Sequence, residues 1–243
     1  MHIIAFDAGH GFGSKTAGVM DPGATFTGKV RGVFRVWWEH TLAKGLVKRT
    51  GAALVAKYPG QVKVIYPTGR YTSRHAWAVA HGATRYISIH FNGNNVDGYE
   101  DFVHTNAGSV AKNLRGELHR RLTAVNGLKD RGLKSAGFAV LSGKLPAVLI
   151  ETAGMNAKNL DIYQGRVQNH VDAIVAAIAA HLGLTGAPAP HDPAARTFKK
   201  VTLHIDARNE GAAAAAAKTL GAAAYSEDTT QDSWKSWLGK KLN

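Results

Sequence analysis

The sequence predicts an α/β fold: a three-layer sandwich with a central, largely parallel sheet flanked by helices, plus a small C-terminal α/β module. Three observations predict it. Short apolar runs alternate along the chain with longer segments of helical period. The runs are nearly continuous, as in strands covered on both faces. A proline-rich stretch near residue 190 then ends the pattern.

Taken in order, Ile3-Ile4-Ala5-Phe6 is the first buried strand. Leu42, Leu46, Ala53 and Leu54 fall on one helical stripe behind it. Residues 62–66 and 86–89 read as the second and third strands. Leu114, Leu118 and Leu122 mark another helix, Ala147-Val148-Leu149-Ile150 a fourth strand, and residues 171–182 a closing helix. In Gly186-Ala187-Pro188-Ala189-Pro190-His191-Asp192-Pro193, three prolines in six residues stop that helix and begin a stiff, solvated connection. The expected division is a main domain over residues 1–184, a Pro/Ala-rich linker over 185–198 and a small module over 199–243. In the module, residues 201–205 alternate like a strand, and residues 210–220 hold six consecutive alanines and read as a helix. Trp234, Trp237 and Leu238 close the chain as packing anchors, beside Lys240 and Lys241. So short a piece buries little by itself and is expected to lean on the main domain, a second copy or a ligand.

The chain has 243 residues, 45% of them hydrophobic, and no cysteine, which excludes disulfide scaffolds, thiol nucleophiles, Cys-type zinc fingers and Fe–S clusters. No window approaches eighteen consecutive apolar residues, and Met1 runs straight into an apolar strand without a charged leader. The expectation is a protein without a transmembrane segment or signal peptide, made in the cytoplasm. Lys+Arg number 30 against 17 Asp+Glu, giving a formal charge of +13. Residues 1–186 carry 22 basic and 11 acidic side chains and the remainder 8 and 6, so attraction to an anionic partner belongs to the main domain.

The residues just after three of the strands are chemically distinctive. The first strand leads to Asp7-Ala8-Gly9-His10-Gly11, the third to His90-Phe91-Asn92, and the fourth to Glu151-Thr152. In open sheets chemistry collects past the carboxyl ends of the strands. Two imidazoles and a carboxylate at one edge are the donor types that hold a catalytic Zn²⁺ and leave a position open. Glu39 is the candidate third ligand, because Trp37-Trp38-Glu39-His40 opens a helix whose dipole favours a carboxylate in its first turn. Spacing alone leaves His40, His75, His81, His104 and His119 as competitors. Asp7 is expected to orient the turn or the His10 ring, and Asn92 either to donate to substrate or to fix its loop. Arg70, Arg74 and Arg131 are candidates for lining a cleft and meeting carboxylates. Gly9-His10-Gly11-Phe12-Gly13 lacks the spacing of a dinucleotide loop.

These segments resemble the zinc-dependent N-acetylmuramoyl-L-alanine amidases of the amidase-3 type, found in phage endolysins and bacterial wall hydrolases. The matching pieces are Asp7-Ala8-Gly9-His10-Gly11, Asp21-Pro22-Gly23-Ala24, Glu39, Ile87-Ser88-Ile89-His90-Phe91-Asn92, the Asp130-Arg131-Gly132-Leu133 turn, and Val148-Leu149-Ile150-Glu151-Thr152 followed by Asn156. They occur in family order over roughly residues 1–183. The resemblance implies that His10, Glu39 and His90 bind zinc and that Glu151 is the catalytic carboxylate. Ala8 stands where proline is common, and Thr152-Ala153-Gly154-Met155 replaces more usual aromatic residues, changes that bear on groove shape and remove no functional atom.

The implied reaction is hydrolysis of the amide between N-acetylmuramic acid and the L-alanine of the stem peptide. Zn²⁺ lowers the pKa of water from about 15.7 to roughly 7, and Glu151 would pass the water's proton to the leaving amine. The implied partner is bacterial peptidoglycan within an anionic envelope, reached after release from a phage host's cytoplasm, with the C-terminal module holding the enzyme on the wall. Two alternatives stand beside this reading: a different zinc-dependent wall peptidase or amidase, and a basic nucleic-acid-binding module. No recognition helix or RNA-binding motif supports the latter, so no nucleic-acid partner is expected.

Overall fold

The computed structural model describes residues 1–185 except residues 94–95. The expected linker beyond residue 185, and the module with its strand, helix and tryptophans, lie outside the described residues. In chain order the elements are β1 (His2–Ala8), β2 (Gly11–Phe12), β3 (Met20–Asp21), β4 (Thr25–Val30), β5 (Val33–Trp38), α1 (Glu39–Lys57), β6 (Val62–Ile65), α2 (Tyr71–Ala80), β7 (Arg85–Asn92), β8 (Tyr99–Val103), α3 (Ser109–Asn126), β9 (Asp130–Ser135), β10 (Ala147–Gly154), α4 (Ala157–Gly165) and α5 (Val167–Leu182). A single 3₁₀ turn, Ala139–Leu141, precedes β10.

Six strands form one sheet in the order β6-β1-β7-β10-β8-β9. β6, β1, β7 and β10 run parallel, whereas β8 pairs antiparallel with β10 and carries β9 alongside it in its own direction. The sheet is therefore mostly parallel, as the continuous apolar runs predict. The two-residue period of a strand divides its side chains between two cores. Ile4 and Phe6, Ile87, Ile89 and Phe91, and Val148 and Ile150 enter the larger core. Ala5, Tyr86, Ala147 and Leu149 enter the smaller one on the opposite face.

The larger core is closed by α1 and α3, which pack on the sheet, and by α5, which packs against both helices. The leucines of the predicted stripes are buried, Leu42, Leu46 and Leu54 on α1 and Leu114, Leu118 and Leu122 on α3, whereas Ala53 is only half-buried beside them. Each fully buried leucine contributes roughly 1.5–3 kcal/mol of transfer free energy. The thinner face is covered by α2 and the 3₁₀ turn, where Ala78, Val140 and Leu141 meet the strands. Among the described residues no helix is long and apolar enough to cross a membrane.

This topology fixes where chemistry is displayed. β1, β7 and β10 end at one edge, and the antiparallel sense of β8 and β9 brings their first residues, Tyr99-Glu100 and Asp130-Arg131, to that same edge. β7 continues to Asn92 and β10 to Gly154, so His90 and Glu151 lie within strands rather than just past them. They stay in the strands because they are register partners and mutual pairing holds both backbones extended. The hairpin of β4 and β5 has no counterpart in the predicted elements. Its Val33-Phe34-Arg35-Val36-Trp37-Trp38 strand is exposed at every position except Trp37, so it lacks the continuous buried run of the central strands.

Candidate metal centre and catalytic carboxylate

Two glycines show how tightly the site is built. A Cβ on Gly9 would lie 2.3 Å from Cε1 of the His90 ring, and one on Gly23 would lie 2.5 Å from a Glu39 carboxylate oxygen. Gly23 also adopts φ +73°, a conformation side chains rarely tolerate. His10 itself sits in the left-handed region at φ 63°, an uncommon state that marks a constrained turn. The motifs Asp7-Ala8-Gly9-His10-Gly11 and Asp21-Pro22-Gly23-Ala24 thus set aside backbone room for imidazole and carboxylate groups.

Glu39 opens α1, and its carboxylate lies between the two histidines. Its Oε2 is 3.1 Å from His10 Nε2, and its Oε1 is 2.9 Å from His90 Nδ1. One ligand atom from each of His10, Glu39 and His90 falls within 4.8 Å of the other two. The same carboxylate accepts the backbone N–H of Ala24 at 2.7 Å and of Phe91 at 3.1 Å. Burial alone would raise the Glu39 pKa, but the hydrogen bonds from His10 and His90 outweigh it and hold the carboxyl far below its ordinary range. For the same reason both imidazoles are raised, their bonds to Glu39 outweighing burial.

This donor set fits a divalent metal ion. It combines two imidazoles with a carboxylate that stays ionised. His90 Nε2 is buried and, among the described residues, has no hydrogen-bond partner, a state that costs free energy unless something fills the position. His10 Nδ1 meets Asp21 Oδ2 at 2.9 Å, the carboxylate–imidazole pairing that fixes the ring of a metal-binding histidine.

Glu151 stands in the same row of the sheet. It is the register partner of His90 on β7 and of Glu100 on β8, so all three side chains rise from one face. Directly after it the β7–β10 register shifts between Glu151 and Gly154, a bulge of the kind that re-aims a side chain. Its Oε2 is buried without a hydrogen-bond partner among the described residues. Burial, with the charges of Glu39 and Glu100 adding to it and His90 opposing, pushes the carboxyl up to about 7. A carboxyl of that strength exchanges protons near neutral pH.

The remaining candidates sort cleanly. Asp7 does not touch the His10 ring; it binds Arg74 at 2.8 Å and Ser88 at 2.8 Å. Arg74 is buried and also donates to the Ala8 and His10 carbonyls, so it braces the turn from behind and does not line a cleft. Asn92 fixes its loop, donating to Glu100 at 2.5 Å and accepting from Gly93 N–H. Asn156 caps α4 by accepting the Asn159 N–H at 3.0 Å. His40 binds the Gly9 carbonyl, His75 the Val140 carbonyl, His81 the Trp77 carbonyl, His104 the Asn106 N–H and His119 the Asp101 carboxylate, so none joins the cluster. Sequence reasoning assigned no role to Asp21 or Glu100. An Asp-Pro-Gly turn ahead of a ligand helix was the available signal for Asp21; for Glu100 there was none.

An α/β sandwich with a His–Glu–His cluster and a proton-active carboxylate at one sheet edge has the frame of a metal-dependent hydrolase. Comparison with known proteins names the family: the pattern described as N-acetylmuramoyl-L-alanine amidase matches residues 4–180, and the chain belongs to this amidase-3 family. It is 31% identical over 93 residues to the N-acetylmuramoyl-L-alanine amidase CwlM of Bacillus licheniformis, a match covering 38% of this chain and 35% of that one. It is 30% identical over 153 residues to the sporulation-specific N-acetylmuramoyl-L-alanine amidase of Bacillus subtilis (strain 168), covering 61% and 54%. The chain thus spans about a third to a half of these curated relatives. Its fold matches the catalytic domain of the amidase CwlV from Bacillus (Paenibacillus) polymyxa var. colistinus, with TM-score 0.61, 23% identity and 76% and 100% of the two chains covered. It also matches the catalytic domain of an endolysin targeting Clostridia Difficile, with TM-score 0.58, 17% identity and 77% and 100% covered.

Proposed function

We propose that this protein is a zinc-dependent peptidoglycan hydrolase that cleaves the amide between the lactyl group of N-acetylmuramic acid and the L-alanine of the stem peptide. The observation that carries this is the placement of Glu151, with its carboxyl pushed up to about 7, in register beside His90 of the His10–Glu39–His90 cluster. Family membership supplies the reaction class. The donor set supports zinc over harder cations, which favour all-oxygen sites.

In this reading His10, Glu39 and His90 hold the ion, and Asp21 fixes the His10 ring. When bound, zinc supplies Lewis-acid polarisation of the amide carbonyl and brings the pKa of water from about 15.7 to roughly 7. Glu151 accepts the proton of the attacking water and delivers it to the departing L-alanine amine. Its near-neutral carboxyl suits both halves of that transfer, because it neither holds nor sheds the proton strongly at pH 7.

The setting we infer is that of a phage endolysin, made in the host cytoplasm and acting on the wall after release. The surplus of 22 basic over 11 acidic side chains in residues 1–186 suits an anionic envelope. Residues 1–184 form the catalytic domain, 185–198 the linker and 199–243 a module that holds the enzyme on its insoluble substrate.

The test is digestion of purified peptidoglycan by metal-free protein, before and after one equivalent of Zn²⁺, with mass spectrometry of the new ends. Zinc-restored release of stem peptides with free L-alanine amines is expected. Intact wall under both conditions, or new ends elsewhere in the stem, overturns the reading.

A further inference from the structure

Beside Glu151, away from the metal-binding cluster, lies a group of charges that the reaction itself does not use. Glu100 on β8 is 4% exposed and is the register neighbour of Glu151. Its Oε2 accepts from Arg131 Nε at 3.0 Å and from Lys134 Nζ, and its Oε1 from Asn92. Both cations come from β9, the edge strand, and both are about one-third exposed, so they rise at the rim of the site. Lys134 also lies over the Phe102 ring, which fixes the face it occupies. Two cations thus face this one carboxylate.

The guanidinium is only partly used. Arg131 spends Nε on Glu100, and among the described residues its Nη1 and Nη2 have no partner. Glu100 therefore anchors the guanidinium through Nε and leaves the two terminal amines of a partly exposed side chain available, the pair of donors that can receive a carboxylate through two parallel bonds. Arg74 is the contrast: buried, with Nε and both terminal amines engaged, it has nothing left to offer a ligand.

Resting on the amidase reading above, we propose that Arg131, positioned by Glu100 and assisted by Lys134, binds a free carboxylate on the stem-peptide residue that follows L-alanine. The reach agrees. Neighbouring strands are about 4.8 Å apart, so β9 lies about 10 Å across the sheet from Glu151. A carboxylate on the residue after L-alanine lies roughly 6–7 Å from the scissile amide nitrogen in an extended peptide, and the arginine side chain spans the remainder. The stem then runs from Glu151 over β8 toward β9, and the sugar lies on the side of β1 and the β4–β5 hairpin. Arg131 acts on binding and orientation and takes no proton in the reaction.

The test compares N-acetylmuramoyl-L-alanyl-γ-D-glutamyl-L-lysine with N-acetylmuramoyl-L-alanyl-γ-D-isoglutaminyl-L-lysine; the γ-carboxyl of the second residue is tied up in a peptide bond in both, and only its free α-carboxylate is replaced by an uncharged amide in the second. With zinc-loaded full-length protein, the acid is expected to be cleaved with kcat/KM about tenfold or more above the amide, as expected from losing a charge-assisted bidentate contact at a partly exposed rim. Arg131→Gln brings that ratio near one by slowing only the acid, and Arg131→Lys restores part of it. Calorimetric binding of both compounds to zinc-loaded Glu151→Gln gives the same ordering without turnover. Equal kcat/KM for the two compounds in the wild type, or an unchanged ratio in Arg131→Gln, overturns the proposal while leaving the amidase reading in place. Failure of the wild type to cleave either compound overturns the amidase reading, and the calorimetric comparison still decides whether Arg131 discriminates acid from amide.

Discussion

Replacing Glu151 by Gln turns the buried carboxyl into a permanent neutral mimic, and the structure gives the size and sign of the effect on folding. In the fold the group titrates near 7, against an ordinary value of 4.5. At about 1.4 kcal/mol per pH unit, keeping it ionised inside the protein costs about 3 kcal/mol relative to the unfolded chain. Because the folded pKa is the higher one, the native state retains a proton between pH 4.5 and 7 that the unfolded chain has released. Its stabilising share is complete below pH 4.5 and is lost as the pH rises through 7. Wild type and Glu151→Gln should therefore have similar stability at pH 5, with the variant gaining on the wild type up to about 3 kcal/mol by pH 8.5. The assay is urea unfolding of both proteins in chelator, so that no bound cation acts on the carboxylate, at half-unit steps between those limits. A stability gap that stays constant across the range would show that burial does not tune this carboxyl, and the argument for Glu151 as the proton carrier would go with it.

Three other perturbations test the same geometry. Asp21→Asn removes the charge that fixes the His10 ring, and zinc affinity measured by chelator competition should fall about 10- to 100-fold with the fold intact; an unchanged affinity contradicts the role given to Asp21. Arg74→Met leaves Asp7 as an unpaired buried charge and should destabilise by about 3–5 kcal/mol in urea unfolding, where a loss under about 1 kcal/mol would show that Asp7 is otherwise satisfied. Removing residues 187–243 should leave cleavage of soluble muropeptide largely unchanged and weaken turbidity loss of whole walls, whereas loss of folding would place the domain boundary elsewhere.

The sequence was legible where burial is two-sided or periodic. Residues 3–6, 86–89 and 147–150 face a core on both sides, so their apolar runs marked β1, β7 and β10 directly. The leucine stripes of α1 and α3 were equally plain. α2 escaped notice because only Arg74, His75 and Ala78 of its residues are buried, two of them polar. β8 and β9 escaped because they carry charge into the sheet: Glu100 and Asp101 are buried in β8, and β9 reads Asp-Arg-Gly-Leu-Lys-Ser. His10, His90 and Glu151 were visible as polar residues at the ends of apolar runs, which local sequence encodes. The pairing of Asp21 with His10, and of Glu100 with Arg131, joins residues 11 and 31 positions apart, which only the register of the folded sheet and turn specifies.

The central claim is that water, with Glu151 as the proton carrier, is delivered to the lactyl carbonyl of N-acetylmuramic acid at the His10–Glu39–His90 cluster. Cleavage of a defined muropeptide in ¹⁸O-labelled water by the zinc-restored protein tests it most directly. The account predicts one labelled oxygen in the lactyl carboxylate, an unlabelled stem peptide with a free L-alanine amine, and neither product with Glu151→Gln. Label appearing in a stem-peptide carboxylate, or full turnover by Glu151→Gln, would contradict it.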